Sequence, residues 1–197
     1  MRSELCGIVV SGGLSVRMGR DKGRLVYHQL EQRLHVFHLL EPFCSKVYIS
    51  CTALQSESIP EAYPFIPDED PYQGIGPMAA LLNAWRLLPE MSFLLLGCDY
   101  PLVESSHLRH LLEKRNVTDE ATCYEKNGFL EPLVTVYEKT LKERIQQEFL
   151  SGNYSLRQIL GTLNCTVLKP EGDFLQSADT PEQREKILQR LKQQQHE

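Results

Sequence analysis

This 197-residue chain predicts an α/β fold of three layers, with helices on both faces of a mostly parallel sheet. Two observations carry that prediction. Short runs that are apolar throughout, Ile8-Val9-Val10 and Phe93-Leu94-Leu95-Leu96, suit strands covered on both faces, as parallel strands between helix layers are. Between such runs lie segments whose apolar residues recur every three to four positions, and the two kinds alternate along the chain.

The elements follow in order. The strand ending at Val10 breaks at Gly12-Gly13, and Arg24 to His28 reads as a short extended piece. Leu30, Leu34, Val36, Phe37 and Leu40 mark the apolar face of a helix that stops near Pro42, and Val47 to Cys51 is the next strand. Pro60, Pro64, Pro67 and Pro71 break the following stretch into a loop carrying Asp68, Glu69 and Asp70. That loop feeds a helix, about Met78 to Leu88, opened by Gly74-Ile75-Gly76-Pro77. The Phe93 to Leu96 strand is bounded by Gly97. Leu108, Leu111 and Leu112 lie on a helix, Ala121 to Tyr124 and Leu133 to Tyr137 are strands, and Leu141, Ile145 and Phe149 share a helix face. Cys165 to Leu168 is a strand, and a helix from Pro181 to about Lys192 closes the pattern. With no repeat and no linker, residues 1–192 are expected to form one domain and residues 193–197 a frayed polar tail.

Composition narrows the function. A net charge of -5 and 24% charged residues argue against a nucleic-acid surface, although a local basic pocket remains compatible with an acidic chain. The ligand should therefore be small. No signal-peptide pattern and no apolar run of roughly 20 residues is present, so no membrane partner is expected. The six cysteines lack C-x-x-C spacing, and several sit in apolar runs as reduced core thiols, which favours the cytoplasm. A monomer is expected.

The chemistry concentrates in Gly7 to Lys22, GIVVSGGLSVRMGRDK. Ser11, Gly12 and Gly13 end a buried strand, and paired glycines permit positive φ and close backbone approach to a ligand. Arg17 and Lys22 add a guanidinium fork and a mobile ammonium just beyond. Amides, guanidinium and ammonium converging on one polyanion suit a nucleoside triphosphate. The Walker pattern is absent, since Gly19 is followed by Arg20-Asp21-Lys22, and so are the three spaced glycines of the dinucleotide fingerprint. The second apolar strand ends at Gly97-Cys98-Asp99-Tyr100-Pro101, and ligands of open α/β sheets gather outside such carboxyl ends. Asp99 is thus the metal-ligand candidate for Mg2+, which accepts one or two carboxylates and completes its shell with water and phosphate. The alternative for Asp99 is a turn former ahead of Pro101.

Gly12, Gly13, Arg17, Met18, Gly19, Asp21 and Lys22 resemble the L-A-G-G-x-x-x-R-M-G-x-D-K signature of sugar-nucleotide and cofactor nucleotidyltransferases, and within them the molybdenum cofactor guanylyltransferase family. The likeness extends to Gly76-Pro77-Met78-Ala79-Ala80, to Cys98-Asp99-Tyr100-Pro101 (the family's C-D-x-P) and to Ser177-Ala178-Asp179-Thr180-Pro181-Glu182 (its N-x-N-T-P-E). Weaker matches are Glu131-Pro132-Leu133 and Gly152 to Arg157, in the half that receives the second substrate. The resemblance implies a Rossmann-like sheet of the nucleotide-diphospho-sugar transferase type, GTP as donor, a molybdopterin-type acceptor and magnesium on Asp99. It also implies an aspartate on the purine edge, at Asp68 or Asp70, the other being solvated loop charge. A carboxylate there would accept from guanine N1-H and N2-H.

The chain departs from the family at Cys51-Thr52, where asparagine is usual, and at Ser177 and Asp179, where both asparagines are replaced. Asp179 is expected to cap the last helix, with metal ligation as its alternative. The reaction implied is attack of an acceptor phosphate on the α-phosphorus with loss of pyrophosphate. Arg17, Lys22 and Asp99 form its catalytic set, and Ser11, Gly12, Gly13, Lys22, Asp68, Asp70, Gly76 and Asp99 contact the nucleotide. A cytidylyltransferase or sugar-phosphate nucleotidyltransferase of the same fold, or a nucleotide-binding module without catalysis, is the alternative. His35/His38 and His107/His110 have helical spacing but no third ligand, and Trp85 lies on an apolar helix face as core.

Overall fold

The computed structural model describes residues 4–11 and 21–194. Its seven strands are β1 (Leu5–Val10), β2 (Lys46–Cys51), β3 (Phe65–Pro67), β4 (Ser92–Gly97), β5 (Ala121–Lys126), β6 (Phe129–Tyr137) and β7 (Cys165–Leu168). They form one sheet in the order β3-β2-β1-β4-β6-β5-β7. All run the same way except β6, which is antiparallel to both β4 and β5. The helices are α1 (Gln32–Leu40), α2 (Ala53–Ser56), α3 (Met78–Leu87), α4 (Ser105–Glu113), α5 (Lys142–Leu150), α6 (Leu156–Leu160) and α7 (Pro181–Gln194).

Alternation along the central strands splits the core in two. Leu5 and Val9 of β1 and Leu94 and Leu96 of β4 face one side, where α1, α4 and α7 pack. Ile8, Val10, Phe93 and Leu95 face the other, against α3, α5 and α6. Every residue of β1 and β4 is buried, which is why both read as unbroken apolar runs. Trp85 joins the second core, its Nε1 donating to the Met91 carbonyl at 3.1 Å.

Four local expectations need revising. Arg24 to His28 is not an extended piece: Lys22–Arg24 is a 3₁₀ turn capped by Asp21, and only Val26 makes a bridge, to Glu31. Leu30 is exposed ahead of α1, which starts only at Gln32. The proline-broken stretch contains α2 and β3. A capping box between Thr52 and Gln55 nucleates α2 directly after β2, and β3 sits at the sheet's edge, where Pro67 deprives no neighbour of a donor. The last helix continues through Gln193 and Gln194, into the stretch expected to be tail.

The described histidines take part in ring packing. His28 stacks on His35 at 3.8 Å and donates from Nε2 to the Pro101 carbonyl, His107 stacks on Phe174, and His110 meets the Tyr124 hydroxyl.

The reversal between β5 and β6 is a two-residue turn at Asn127-Gly128, with φ of 53° and 82°, the left-handed pair that tight hairpins require. No atom lies within 4 Å of where a Gly128 Cβ would sit, so substitution there acts through the backbone alone. Gly128→Ala should lower the unfolding free energy by about 1 kcal/mol. Urea denaturation checks this, and a change of only a few tenths would mean that the turn is not held in the left-handed region.

Candidate active site

β1 and β4 lie side by side, with Val10 opposite Gly97, so the chain leaves both strands at one point of the carboxyl edge. The exits stay hydrogen-bonded: Ser11 N donates to Ser50 O at 3.0 Å, and Cys98 N to Val10 O at 3.2 Å. Ser11 is buried at the foot of the glycine-rich loop. Gly12, Gly13 and Arg17 lie outside the described residues. Gln55 Nε2 donates to the Ser11 carbonyl at 3.2 Å, so the capping box after β2 also fastens the loop's first residue.

Lys22 arrives on the 3₁₀ turn, whose Asp21 side chain accepts from Gly23 N at 2.9 Å. Asp99 follows β4 directly. Its backbone carbonyl accepts from Ala178 N at 2.9 Å, which lays the segment before α7 against it. Asp179 is thereby brought to Lys22, and Lys22 Nζ donates to Asp179 Oδ1 at 2.5 Å while Ser177 Oγ donates to Oδ2 at 2.6 Å. Asp179 does not cap α7. Thr180 does, its Oγ1 accepting from Gln183 N at 3.2 Å while Gln183 Oε1 accepts from the backbone N–H of both Asp179 and Thr180.

Burial pushes the Asp99 carboxyl up to about 6. Lys22 opposes that shift, and Asp179 and Glu131 add to it through like charge. Tyr27, near the same carboxylates with the Arg184 guanidinium 5.8 Å from its ring centre, is raised to about 12 chiefly by burial. Asp99 and Asp179 lie close enough for their like charges to oppose each other, a repulsion that a cation bound between them would relieve. The donors of Asp99 and Asp179 are hard oxygens that fit a divalent ion of the magnesium type. No group of three His, Cys, Asp or Glu among the described residues forms a cage, so the donor set resembles magnesium sites that draw further ligands from water and phosphate.

On one flank, Asp68 follows β3. Its N–H donates to Cys51 O at 2.7 Å, and burial raises its carboxyl to about 6. Asp70 is exposed, and between them Glu69 pairs outward with Arg86. Gly76, with φ of 73°, turns the chain into α3. On the other flank a cleft of about 400 Å³ runs from Asp99 and Tyr100 along Glu131 to Arg157. The structure thus gathers Ser11, Lys22 and Asp99 at one point, with Asp68 near the adjacent strand ends and Asp70 outside in solvent. Sequence reasoning did not single out Tyr100 as a cleft residue or Lys126, which lines the same cleft and donates to the Leu175 carbonyl. The position of Tyr100 in C-D-Y-P was the available signal.

Comparison with known proteins agrees with this architecture. Residues 7–167 match the MobA-like NTP transferase domain. A molybdenum cofactor biosynthesis bifunctional protein of Synechocystis is 28% identical over 92% of this chain and 53% of its own length, so the chain spans about half of that relative. A molybdenum cofactor guanylyltransferase of Pseudomonas entomophila is 27% identical over 79% of this chain and 82% of its own. Among solved structures, molybdopterin-guanine dinucleotide biosynthesis protein A from Archaeoglobus fulgidus superposes with a TM-score of 0.79 at 22% identity, covering 95% of this chain and 99% of that one. That likeness places the sheet among folds of the nucleotide-diphospho-sugar transferase type. With the family match running from inside β1 into β7, the chain belongs to the MobA-like NTP transferase family.

Proposed function

We propose that this chain is a Mg2+-dependent nucleotidyltransferase that transfers the guanylyl group of GTP to the phosphate of molybdopterin and releases pyrophosphate. The observation that carries this reading is the meeting of Lys22, Asp99 and Asp179 where β1 and β4 end together. The names of the relatives supply the two substrates.

An oxygen of the acceptor phosphate forms a bond to the α-phosphorus, and the bond to the bridging oxygen of the β-phosphate breaks, its electron pair leaving with pyrophosphate. The attacking oxygen is already anionic, so no general base is required, and positioning with charge neutralisation supplies the catalysis. Lys22, oriented by Asp179, neutralises the phosphates, and Arg17 and the Gly12 and Gly13 amides are proposed to join it. Asp99 and Asp179 would hold Mg2+, which when bound supplies Lewis-acid neutralisation of phosphate charge. Ser11 and Gly76 present backbone to the nucleotide. Asp68, partly withdrawn from water, would accept from guanine N1-H and N2-H, and exposed Asp70 is left as solvated loop charge.

We read the chain as one catalytic domain, α7 included, acting as a monomer. Its six free cysteines suit a reducing cytoplasm. No helix among the described residues is long and apolar enough to cross a membrane.

Pyrophosphate release from GTP with molybdopterin as acceptor tests the catalytic set. Lys22→Ala should reduce turnover by roughly 100-fold or more while shifting stability by no more than about 1 kcal/mol, the range for a partly exposed ion pair. Asp99→Asn should abolish Mg2+-dependent release while triphosphate binding in the absence of metal is largely retained. A variant that needs no more Mg2+ than the parent would reduce Asp99 to a turn former.

The base is tested by competition. Asp68→Ala should weaken GTP much more than ATP, because only guanine loses a partner, whereas Asp70→Ala should leave the ratio unchanged. A partly desolvated carboxylate facing adenine goes unpaired, an effect on the order of 1 to 3 kcal/mol. If Asp68→Ala weakens both triphosphates alike, the guanine contact is lost as an explanation and CTP becomes the donor to try.

A further inference from the structure

Gly23, directly after Lys22, is a glycine for want of space. Its φ lies outside the left-handed region, so backbone conformation does not call for glycine there. A Cβ built on it, however, would stand well under 3.0 Å from Ser11 Oγ, closer than real Cβ atoms come to another heavy atom, and 3.3 Å from Asp21 Oδ1. Gly23 is buried within the 3₁₀ turn. Ser11, only 5% exposed, is held from two sides: its N–H donates to Ser50 O at 3.0 Å, and its carbonyl accepts from Gln55 Nε2 at 3.2 Å. Its hydroxyl has no hydrogen-bond partner among the described residues, so the hydroxyl meets Gly23 through packing. A side-chain oxygen thus fills the space that a methyl group at residue 23 would need, and the turn closes on the end of β1 more tightly than a residue with a side chain would allow.

Lys22 has two ends to be placed. Its ammonium is paired with Asp179 at 2.5 Å, and its backbone goes where the turn goes. Resting on the reading of Lys22 as the ammonium that neutralises phosphate, the structure assigns to Gly23 the part of a positioning residue. The contact of its bare Cα with the Ser11 hydroxyl sets how far Lys22 stands from the start of the glycine-rich loop. A methyl group at residue 23 leaves two ways out. Either the hydroxyl rotates, in an enclosed site with little room for it, or the turn retreats by about 1 Å to recover an ordinary contact distance. The turn is the part that can yield. Its bonds from Gly23, Arg24 and Leu25 run back to Asp21 and Lys22 within the turn itself, whereas Ser11 is fastened to β2 and α2. Lys22 then moves with the turn, and a displacement of that size is enough to lose most of a charged contact.

Calorimetric binding of a non-hydrolysable α,β-methylene GTP analogue in the presence of Mg2+ tests this, with folding followed by urea denaturation. Gly23→Ala should weaken the analogue by about tenfold. Two mutant cycles identify the cause. Added to Ser11→Ala, where the hydroxyl is gone, Gly23→Ala should cost less than about twofold, and added to Lys22→Ala, where no ammonium is left to misplace, it should again cost less than about twofold. Unchanged affinity in Gly23→Ala overturns the inference, because the hydroxyl has then rotated aside. A loss of the same size in either background also overturns it, since Gly23 would then act without Ser11 or without Lys22. If Gly23→Ala alone does not fold, the rescue still decides: Ser11→Ala/Gly23→Ala should fold and bind as Ser11→Ala does, and its failure to do so overturns the assignment. A parent that binds no triphosphate overturns the reading of Lys22 as well, whereas a parent that binds it with purely additive cycles removes Gly23 alone.

Discussion

Parallel pairing of β1 with β4 delivers the ends of two strands, distant in sequence, to a single point on the sheet's edge. Burial fixes that register, because side chains of both strands are enclosed alternately by the two helix layers. A slip of one residue would exchange the two faces of each strand. The separation between Ser11 and Asp99 is therefore set by apolar packing, and these two residues are placed on a frame that does not depend on their own attractions.

Around that frame the polar ties are few and each links separate segments. The Asp99 carbonyl holds the segment before α7, that segment presents Asp179 to Lys22, and Gln55 holds Ser11. Arg33, wholly buried, binds Glu31 and both the hydroxyl and the carbonyl of Ser58, fixing the chain between α2 and β3. A buried guanidinium stripped of one partner is costly, so these bonds tie the segment to α1. The substitutions at Cys51-Thr52 and Asp179 now have structural roles: Thr52 starts α2, and Asp179 orients Lys22, which a neutral asparagine would hold less strongly.

Most of the sheet was legible because strands buried on both faces announce themselves, as Ile8 to Val10 and Phe93 to Leu96 do. The parts that were not legible have local causes. β3 is a three-residue edge strand containing proline, which no periodicity can reveal. α2 is a single turn whose only mark is the spacing of Thr52 and Gln55. Asn127-Gly128 was a readable hairpin signal, yet the expected strands at 121–124 and 133–137 left too long a gap for it to join them. At the site, motif spacing pointed to Lys22 and Asp99 but not to the ion pair of Lys22 with Asp179. Asp179 looked like a cap, and only the long-range bond between Ala178 and Asp99 shows why it is not one.

The reversed direction of β6 has a consequence for how this architecture changes over time. In the parallel half, residues facing ligand follow strand ends, so altering them means altering loops that also lead into helices. β6 runs against β4, and its pairing of Leu96 with Val134 carries its beginning, not its end, alongside Asp99. Glu131 therefore enters from a short hairpin that leads into no helix. Substitutions or length changes in that hairpin can reshape one wall while the wall built on the ends of β1 and β4 keeps its geometry, so the two halves of the pocket are free to diverge at different rates.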